Sequence, residues 1–450
     1  MKQRLLTLSL GALLLPALAL AQPNTTFPNF RPYDQRGVNV FEAAKDDTDV
    51  SRDYKDRLRF GAAFTQQFQA LDHRNTALEV KNAAGVNTNQ LLEIGSGFNL
   101  ATANVSVDAI LADGIRVNLT SYLSSRHHSE TWVKGGFVQV DRLPMIKNAI
   151  VDGVMDHLTL RVGHFGINYG DAQFRRTDNG NALYNPFVGN YIMDAFTTEI
   201  GGEALVRFGS AFVMGALTGG EIQGGVNKPQ QRNWAKLAKV GFDRQFTPLV
   251  RARLSGSLYT TPGSASNTLY GGDRAGSRYY SVLENTLSST GGNFTSGQIN
   301  PGFREKVTAF QINPFVKVGG FEVFGVIEQG KGRSAIETLE RTWNQYAVDA
   351  VYRFMPREQV FVGVRYNTVN GPLTGPVNGP TTDVAIRGKI TTAGQEISID
   401  RFEVGAGWFA TRSLLLKGAY VRTDYRDFPT NDIRNGGRFN GFMVEGVIAF

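Results

Sequence analysis

Residues able to do chemistry fall into three sets in this 450-residue chain. The first is its five histidines, at 73, 127, 128, 157 and 164. His127 and His128 stand beside Ser124, Ser125, Ser129 and Glu130, the raw residue types of a serine hydrolase. Neighbours along a polar stretch do not make a triad, and no G-x-S-x-G elbow accompanies them. No catalytic residue is therefore assigned, and the expectation is a protein that is not an enzyme. Cysteine is absent, which removes thiolate metal sites and any disulfide framework. Adjacent histidines without a second pair of ligands make no metal site, so neither metal nor cofactor is expected.

The second set is arginine, 33 of the 47 basic residues. Its guanidinium keeps its charge at any accessible pH and offers a planar fork to oxyanions. Arg116, Arg161, Arg251, Arg253, Arg353, Arg365 and Arg401 all fall on the polar side of alternating segments, with Glu203, Asp349 and Glu403 among them. Facing a common interior, such arginines would form successive weak anion sites; paired with neighbouring carboxylates, they would confer little selectivity. The third set lies in one connecting stretch, INYGDAQFRRTDNGNALYNPFVGNYIMDAF (167–196), which carries Asp171, Arg175, Arg176 and Asp178. A charged segment bent into a narrow passage would focus a transverse field; left outside, it would be a solvated loop.

Positioning these residues requires strands. Residues 249–260 set Val250, Ala252, Leu254, Gly256 and Leu258 against Arg251, Arg253, Ser255, Ser257 and Tyr259, the period-two pattern of a strand with one apolar face. The same alternation recurs at 57–69, 101–111, 115–125, 131–140, 157–166, 197–208, 211–218, 233–244, 305–318, 321–330, 343–354, 359–369, 396–409, 413–424 and finally RFNGFMVEGVIAF (438–450), about sixteen strands in all. In the last of these, Phe442, Val444, Ile448 and Phe450 share one face, with Met443 and Glu445 opposite. Apolar-face aromatics such as Phe60, Tyr352, Phe354, Tyr366, Phe402 and Trp408 suit the interfacial girdles of a membrane protein.

Loop lengths separate a barrel from a soluble sandwich. Connections at 112–114, 209–210, 245–248, 319–320, 355–358 and 410–412 are short and follow even-numbered strands; only 141–156 breaks that rule. Those after odd-numbered strands are mostly long, as at 70–100, 167–196, 261–304 and 370–395. Short turns on one rim and long loops on the other describe a transmembrane antiparallel up-and-down β-barrel. A sandwich has no reason to sort loop lengths by parity.

The ends of the chain are read separately. Residues 1–21 begin with Lys2 and Arg4, continue through an apolar run and reach Ala19-Leu20-Ala21, the pattern of a signal peptide. Residues 22–56 are polar, aperiodic and contain Pro23, Pro28 and Pro32; they form an N-terminal extension, either periplasmic or tucked into the lumen, ahead of a barrel spanning 57–450. The formal net charge is +7, and +5 without the two basic residues of the signal. No nucleic-acid partner is expected; the expected surroundings are outer-membrane lipid and small hydrophilic solutes or anions.

Signal peptide, about sixteen amphipathic strands, terminal Phe450 and a long third external loop together resemble the outer-membrane general porins. The segment LTLRVGHFGINYGDAQF (158–174) resembles the phosphate-selective porin O/P family. A barrel of about sixteen strands leaves an aqueous channel, so passive diffusion of small solutes is expected, with a mild anion preference from the arginines, and the resemblance implies a third loop that folds inward. It also implies a homotrimer, and barrel assembly machinery that reads Phe442, Val444, Ile448 and Phe450 as a signal. The loop has two arginines but no lysine, whereas the phosphate-selective relatives are implied to use either along the eyelet. A substrate-specific channel with 22–56 as a luminal hatch is the alternative. The Asn-Pro-Ala turn of fatty-acid transporter hatches is missing from that stretch, and the chain is too short for a plug and twenty-two strands.

Overall fold

The structure, a computed structural model, describes residues 27, 29–43, 45, 57–125, 131–272, 274–289, 291–377 and 389–450. Residues 1–21, read above as a signal peptide, and the pair His127-His128 with Ser129 and Glu130 lie outside the described residues.

Sixteen strands close into one antiparallel barrel, and an extra two-residue strand pairs with the first of them. In chain order they are β1 (Leu58–Arg74), the short β2 (Gly97–Phe98), β3 (Thr102–Ala112), β4 (Ile115–Ser124), β5 (Thr131–Val140) and β6 (Leu158–Gly166). β7 (Thr198–Phe208), β8 (Ala211–Thr218), β9 (Ala235–Gln245), β10 (Val250–Thr261), β11 (Lys306–Val318) and β12 (Phe321–Arg333) follow. β13 (Arg341–Phe354), β14 (Val360–Pro372), β15 (Glu396–Thr411), β16 (Leu414–Arg426) and β17 (Arg438–Ala449) complete the wall. The sixteen expected strands are all present, with ends shifted by a few residues; β1 runs on to Arg74 because its stretch from Ala63 to Arg74 pairs with β17. Two features had not been anticipated, the short β2 and the helix α1 (Ala149–Met155) in the one long connection of the short-turn rim. Asn148 caps that helix by accepting from the amides of Ile150 and Val151.

Closure depends on β17. Ala449 lies opposite Ala63 and Arg438 opposite Arg74, and the pairing is extended by Ala62 and Phe450, which exchange backbone hydrogen bonds of 2.9 and 3.0 Å. A closed sheet leaves no unpaired edge, which lipid would penalise heavily. Side chains then divide by parity. Phe442, Val444, Ile448 and Phe450 are exposed on the outside, while Met443 and Glu445 are buried inside. On β10, Leu254 and Leu258 face out, whereas Arg253, Ser255, Ser257 and Tyr259 face in. Phe60, Tyr352, Phe354, Tyr366, Phe402 and Trp408 are all outward.

Wall side chains cannot fill a barrel of sixteen strands. Among the described residues, three segments enter it instead: the β6–β7 connection, the β10–β11 connection and residues 29–43. Ile192 and Met193 from the first pack with Leu269 and Tyr270 from the second, and with Trp343 and Val369 of the wall, in one buried apolar cluster. The two loops are also joined through their backbones, by Ile299 N to Ile192 O at 2.8 Å and Phe196 N to Leu269 O at 2.9 Å.

Candidate constriction and luminal site

Most side chains of the wall that anchor the β6–β7 loop are polar residues placed on the inward side by strand alternation. The loop leaves β6 and meets β9, where Lys239 Nζ donates to Asn168 Oδ1 at 2.9 Å, and then β11, where Asp171 N donates to Asn313 Oδ1 at 2.7 Å. Asp171 accepts from Arg253 Nε and Ser255 Oγ on β10, and Lys239 Nζ of β9 stands 2.7 Å away. Arg175 reaches β12, with its Nη2 3.0 Å from Glu322 Oε1. The chain then crosses to the opposite wall, where Asn104 donates to Asp178 O at 2.8 Å, Thr65 to Gly180 O at 2.6 Å, and Lys134 pairs with Asp178. A Cβ on Gly180 would lie 2.3 Å from Ala63 O and 2.6 Å from Ala103 Cα, so only glycine permits this approach to the wall.

From there the loop passes to β16, where Lys417 Nζ donates to the carbonyls of Ala182, Asn185 and Phe187 at 2.9, 2.8 and 2.8 Å. Gly189 O and Asn190 O accept from Arg365 of β14 and Arg401 of β15, at 3.0 and 2.9 Å. Gln345 of β13 donates to Met193 O at 2.7 Å. The segment 167–196 therefore spans the lumen and touches the wall on nearly every side.

The seven arginines read from the sequence all point inward, and each has partners. Arg116 pairs with Asp141 at 2.8 Å, Arg161 with Glu203 at 3.5 Å and Arg251 with Asp243 at 2.7 Å. Arg253 bridges Asp171 and Glu42 at 2.7 and 2.8 Å, and Arg353 meets Glu322 at 3.0 Å. Arg365 grips Asp349 with Nε at 2.7 Å and Nη2 at 2.9 Å, reaches Glu403 at 3.4 Å, and has Phe187 and Tyr191 rings 4.3 Å from its carbon. Arg401 binds Thr423 Oγ1 at 3.0 Å and the carbonyls of Asn190 and Gly297. In the loop, Arg176 makes a two-point contact with Asp194 at 2.9 and 2.5 Å. His164 bonds Thr198 Oγ1 at 2.9 Å and belongs to no cluster of catalytic type.

Sequence reasoning missed several contributors: Asp194, the wall lysines Lys134, Lys239 and Lys417, and Glu42 of the N-terminal segment. The lysines were detectable, since Lys239 and Lys417 sit at polar parity positions within alternating strands. Glu42 was not, because residues 29–43 carry no periodicity. That segment docks inside the barrel: Glu42 pairs with Lys239 and Arg253 at 2.8 Å each, Asn39 donates to Glu322 Oε2 at 2.5 Å, and Tyr33 donates to Asp108 Oδ2 at 2.8 Å. Burial by itself would raise the Glu42 carboxyl, but Lys239 and Arg253 outweigh it and hold the group well below the usual carboxylate range. Between this segment, the loop and the wall of β1 and β3–β6 lies a cavity of about 260 Å³.

No protein-family model and no curated protein sequence matches the chain. Solved structures do resemble it. OprB of Pseudomonas putida is 10% identical with a TM-score of 0.50, over 88% of this chain and 94% of that one. An anion-selective porin from Comamonas acidovorans is 12% identical, TM-score 0.49, over 87% and 99% of the two chains. The outer membrane channel DcaP of Acinetobacter baumannii is 7% identical, TM-score 0.48, over 87% and 97%. At such identities the OprB likeness shows the fold alone. The closed antiparallel barrel, apolar outside and polar within, is that of a transmembrane protein of a Gram-negative-type outer membrane.

Proposed function

We propose that the chain is a porin through which small hydrophilic solutes diffuse passively, with residues 167–196 as its constriction. One observation carries this reading: the loop lies inside the barrel, held by Lys417, Arg365 and Arg401 through its own carbonyls. Arg116, Arg161, Arg251, Arg253, Arg353, Arg365 and Arg401 line the passage together with Asp171, Arg175, Arg176 and Asp178. A guanidinium paired with a carboxylate presents little net charge to a passing ion, and six of these seven wall arginines are so paired, Arg401 being held by Thr423 and carbonyls instead, so any anion preference is mild. Phosphate selectivity, to which residues 158–174 point by resemblance, belongs to the same proposal and predicts that phosphate blocks chloride current. Association as a homotrimer belongs to it as well and is read from the mass of the detergent-solubilised protein.

Planar-bilayer recording tests the proposal. Expected are stepwise currents and, in a KCl gradient, a small reversal potential of the anion-selective sign. Protein that inserts but conducts nothing would overturn the channel, and cation selectivity would overturn the role given to the arginines.

The docking of residues 29–43 inside the barrel favours a second reading, in which the N-terminal segment is a hatch. Deleting residues 22–56 should then raise conductance. An unchanged channel rejects the hatch.

A further inference from the structure

The charges facing the 260 Å³ cavity are neutralised, with one exception. Arg59 pairs with Asp108 at 2.6 Å and Arg161 with Glu203 at 3.5 Å; Glu42 is held by Lys239 and Arg253, and Asp178 by Lys134. The exception is Arg31. Its Nε and Nη2 donate to Gly37 O at 2.9 and 2.8 Å, and Nη2 also donates to Phe174 O at 2.8 Å. Its carbon lies 3.5 Å from the centre of the Tyr184 ring, which fixes the plane of the fork. Among the described residues Arg31 has no carboxylate partner, and its Nη1, with two hydrogens, has no protein acceptor. Carbonyls orient a guanidinium without cancelling its charge. One net positive charge therefore remains at a partly exposed position on the cavity wall, where water screens it less than on an open surface.

The rest of the lining indicates what that charge would meet. Phenyl rings of Phe30, Phe137 and Phe174 share the cavity with the amides of Asn118 and Asn181, and Asn181 Oδ1 is buried without a hydrogen-bond partner. A phosphate dianion would call for a second free cation and would gain nothing from the rings. A carboxylate on a small apolar body matches one cation and several rings.

We propose that Arg31 is the anchor of a luminal binding site for a small organic monocarboxylate, held by Nη1 with its apolar part against Phe30, Phe137 and Phe174. The proposal deepens the channel reading and rests on it, since it names a solute class for the same lumen. Burial lowers the Arg31 pKa, Tyr184 works to raise it and Arg175 lowers it further, to about 10, so the group remains charged at neutral pH. Placing the anchor on residues 29–43 makes the site depend on that segment being docked. Gly61 enables the docking, because a Cβ there would lie 2.1 Å from the Tyr33 ring.

Titration calorimetry of the full-length protein in detergent, with benzoate as probe and inorganic phosphate as competitor, tests the site without requiring conduction. Benzoate is expected to bind the unaltered protein with one-site saturation. Arg31→Gln should weaken it about tenfold or more, which is about 1.4 kcal/mol. Arg31→Lys, which keeps the charge but loses the fork, should weaken it less. Absence of benzoate binding by the unaltered protein, undiminished binding by Arg31→Gln with barrel circular dichroism intact, or displacement by equimolar phosphate would each overturn the proposal. Should Arg31→Gln not fold, Arg31→Lys and the phosphate competition still decide. Protein that binds benzoate but conducts no ions would sink the channel reading and leave this site standing.

Discussion

Lys417 and Glu445 stand opposite each other on β16 and β17, both fully buried, with Nζ 2.8 Å from Oε2. The same ammonium also holds three carbonyls of the inward loop. A single lysine thus joins the closing strands of the barrel to the segment that crosses its lumen.

Removing Lys417 should affect both. Lys417→Met leaves Glu445 with Arg278 3.6 Å away as its remaining cation and strips three carbonyls of their donor. Breaking a buried pair from one side costs about 3–5 kcal/mol. The expected results are a lower urea midpoint and a larger, noisier single-channel current. A variant with the parent's stability and quiet current would show that the loop is held elsewhere.

Gly180 provides a steric test of the same loop. Gly180→Val places a side chain against Ala63 O and Ala103 Cα, both backbone, so the loop itself must withdraw. Overpacking of this kind costs about 1–3 kcal/mol. Protease cleavage within 167–196 should become faster than in the parent, whereas equal resistance would mean that the crossing tolerates the side chain.

Acid should release the N-terminal segment. The Glu42 carboxyl is depressed when docked beside Lys239 and Arg253, and ordinary, about 4.3, when released. Its contribution to docking is therefore complete at neutral pH and is lost as pH falls below about 4. Conductance should rise on acidification through that range. Glu42→Gln should show the raised conductance already at pH 7 and lose this part of the pH response; retention of the full response would assign it to another group.

Phe450 completes the seam between β17 and β1 through its backbone exchange with Ala62, and with Phe442, Val444 and Ile448 it forms the outward face of the closing strand. Deleting Phe450 should lower the fraction of chains assembled in the outer membrane several-fold, read from heat-modifiable gel mobility. Normal assembly would reject this residue, and the outward face it completes, as a signal.

What the sequence determined by itself was local. Alternation along 249–260 or 438–450 depends on neighbouring residues, so strand type, inward and outward faces and the parity of loop lengths could be read without a partner strand. Barrel closure, the inward direction of the seven arginines and the lipid-facing aromatics follow from that pattern. Which carboxylate meets which arginine did not. Asp171 lies 82 residues from Arg253, and Lys417 lies 235 residues from Ala182, so those contacts exist only once register around the whole wall is set. Residues 29–43 have neither periodicity nor apolar runs, and their docking is decided by charges on strands far along the chain. The tertiary structure alone showed that the lumen is crossed by loops, that six of the seven expected arginines pair with carboxylates, and that Arg31, a residue with no strand to mark it, has no carboxylate partner among the described residues.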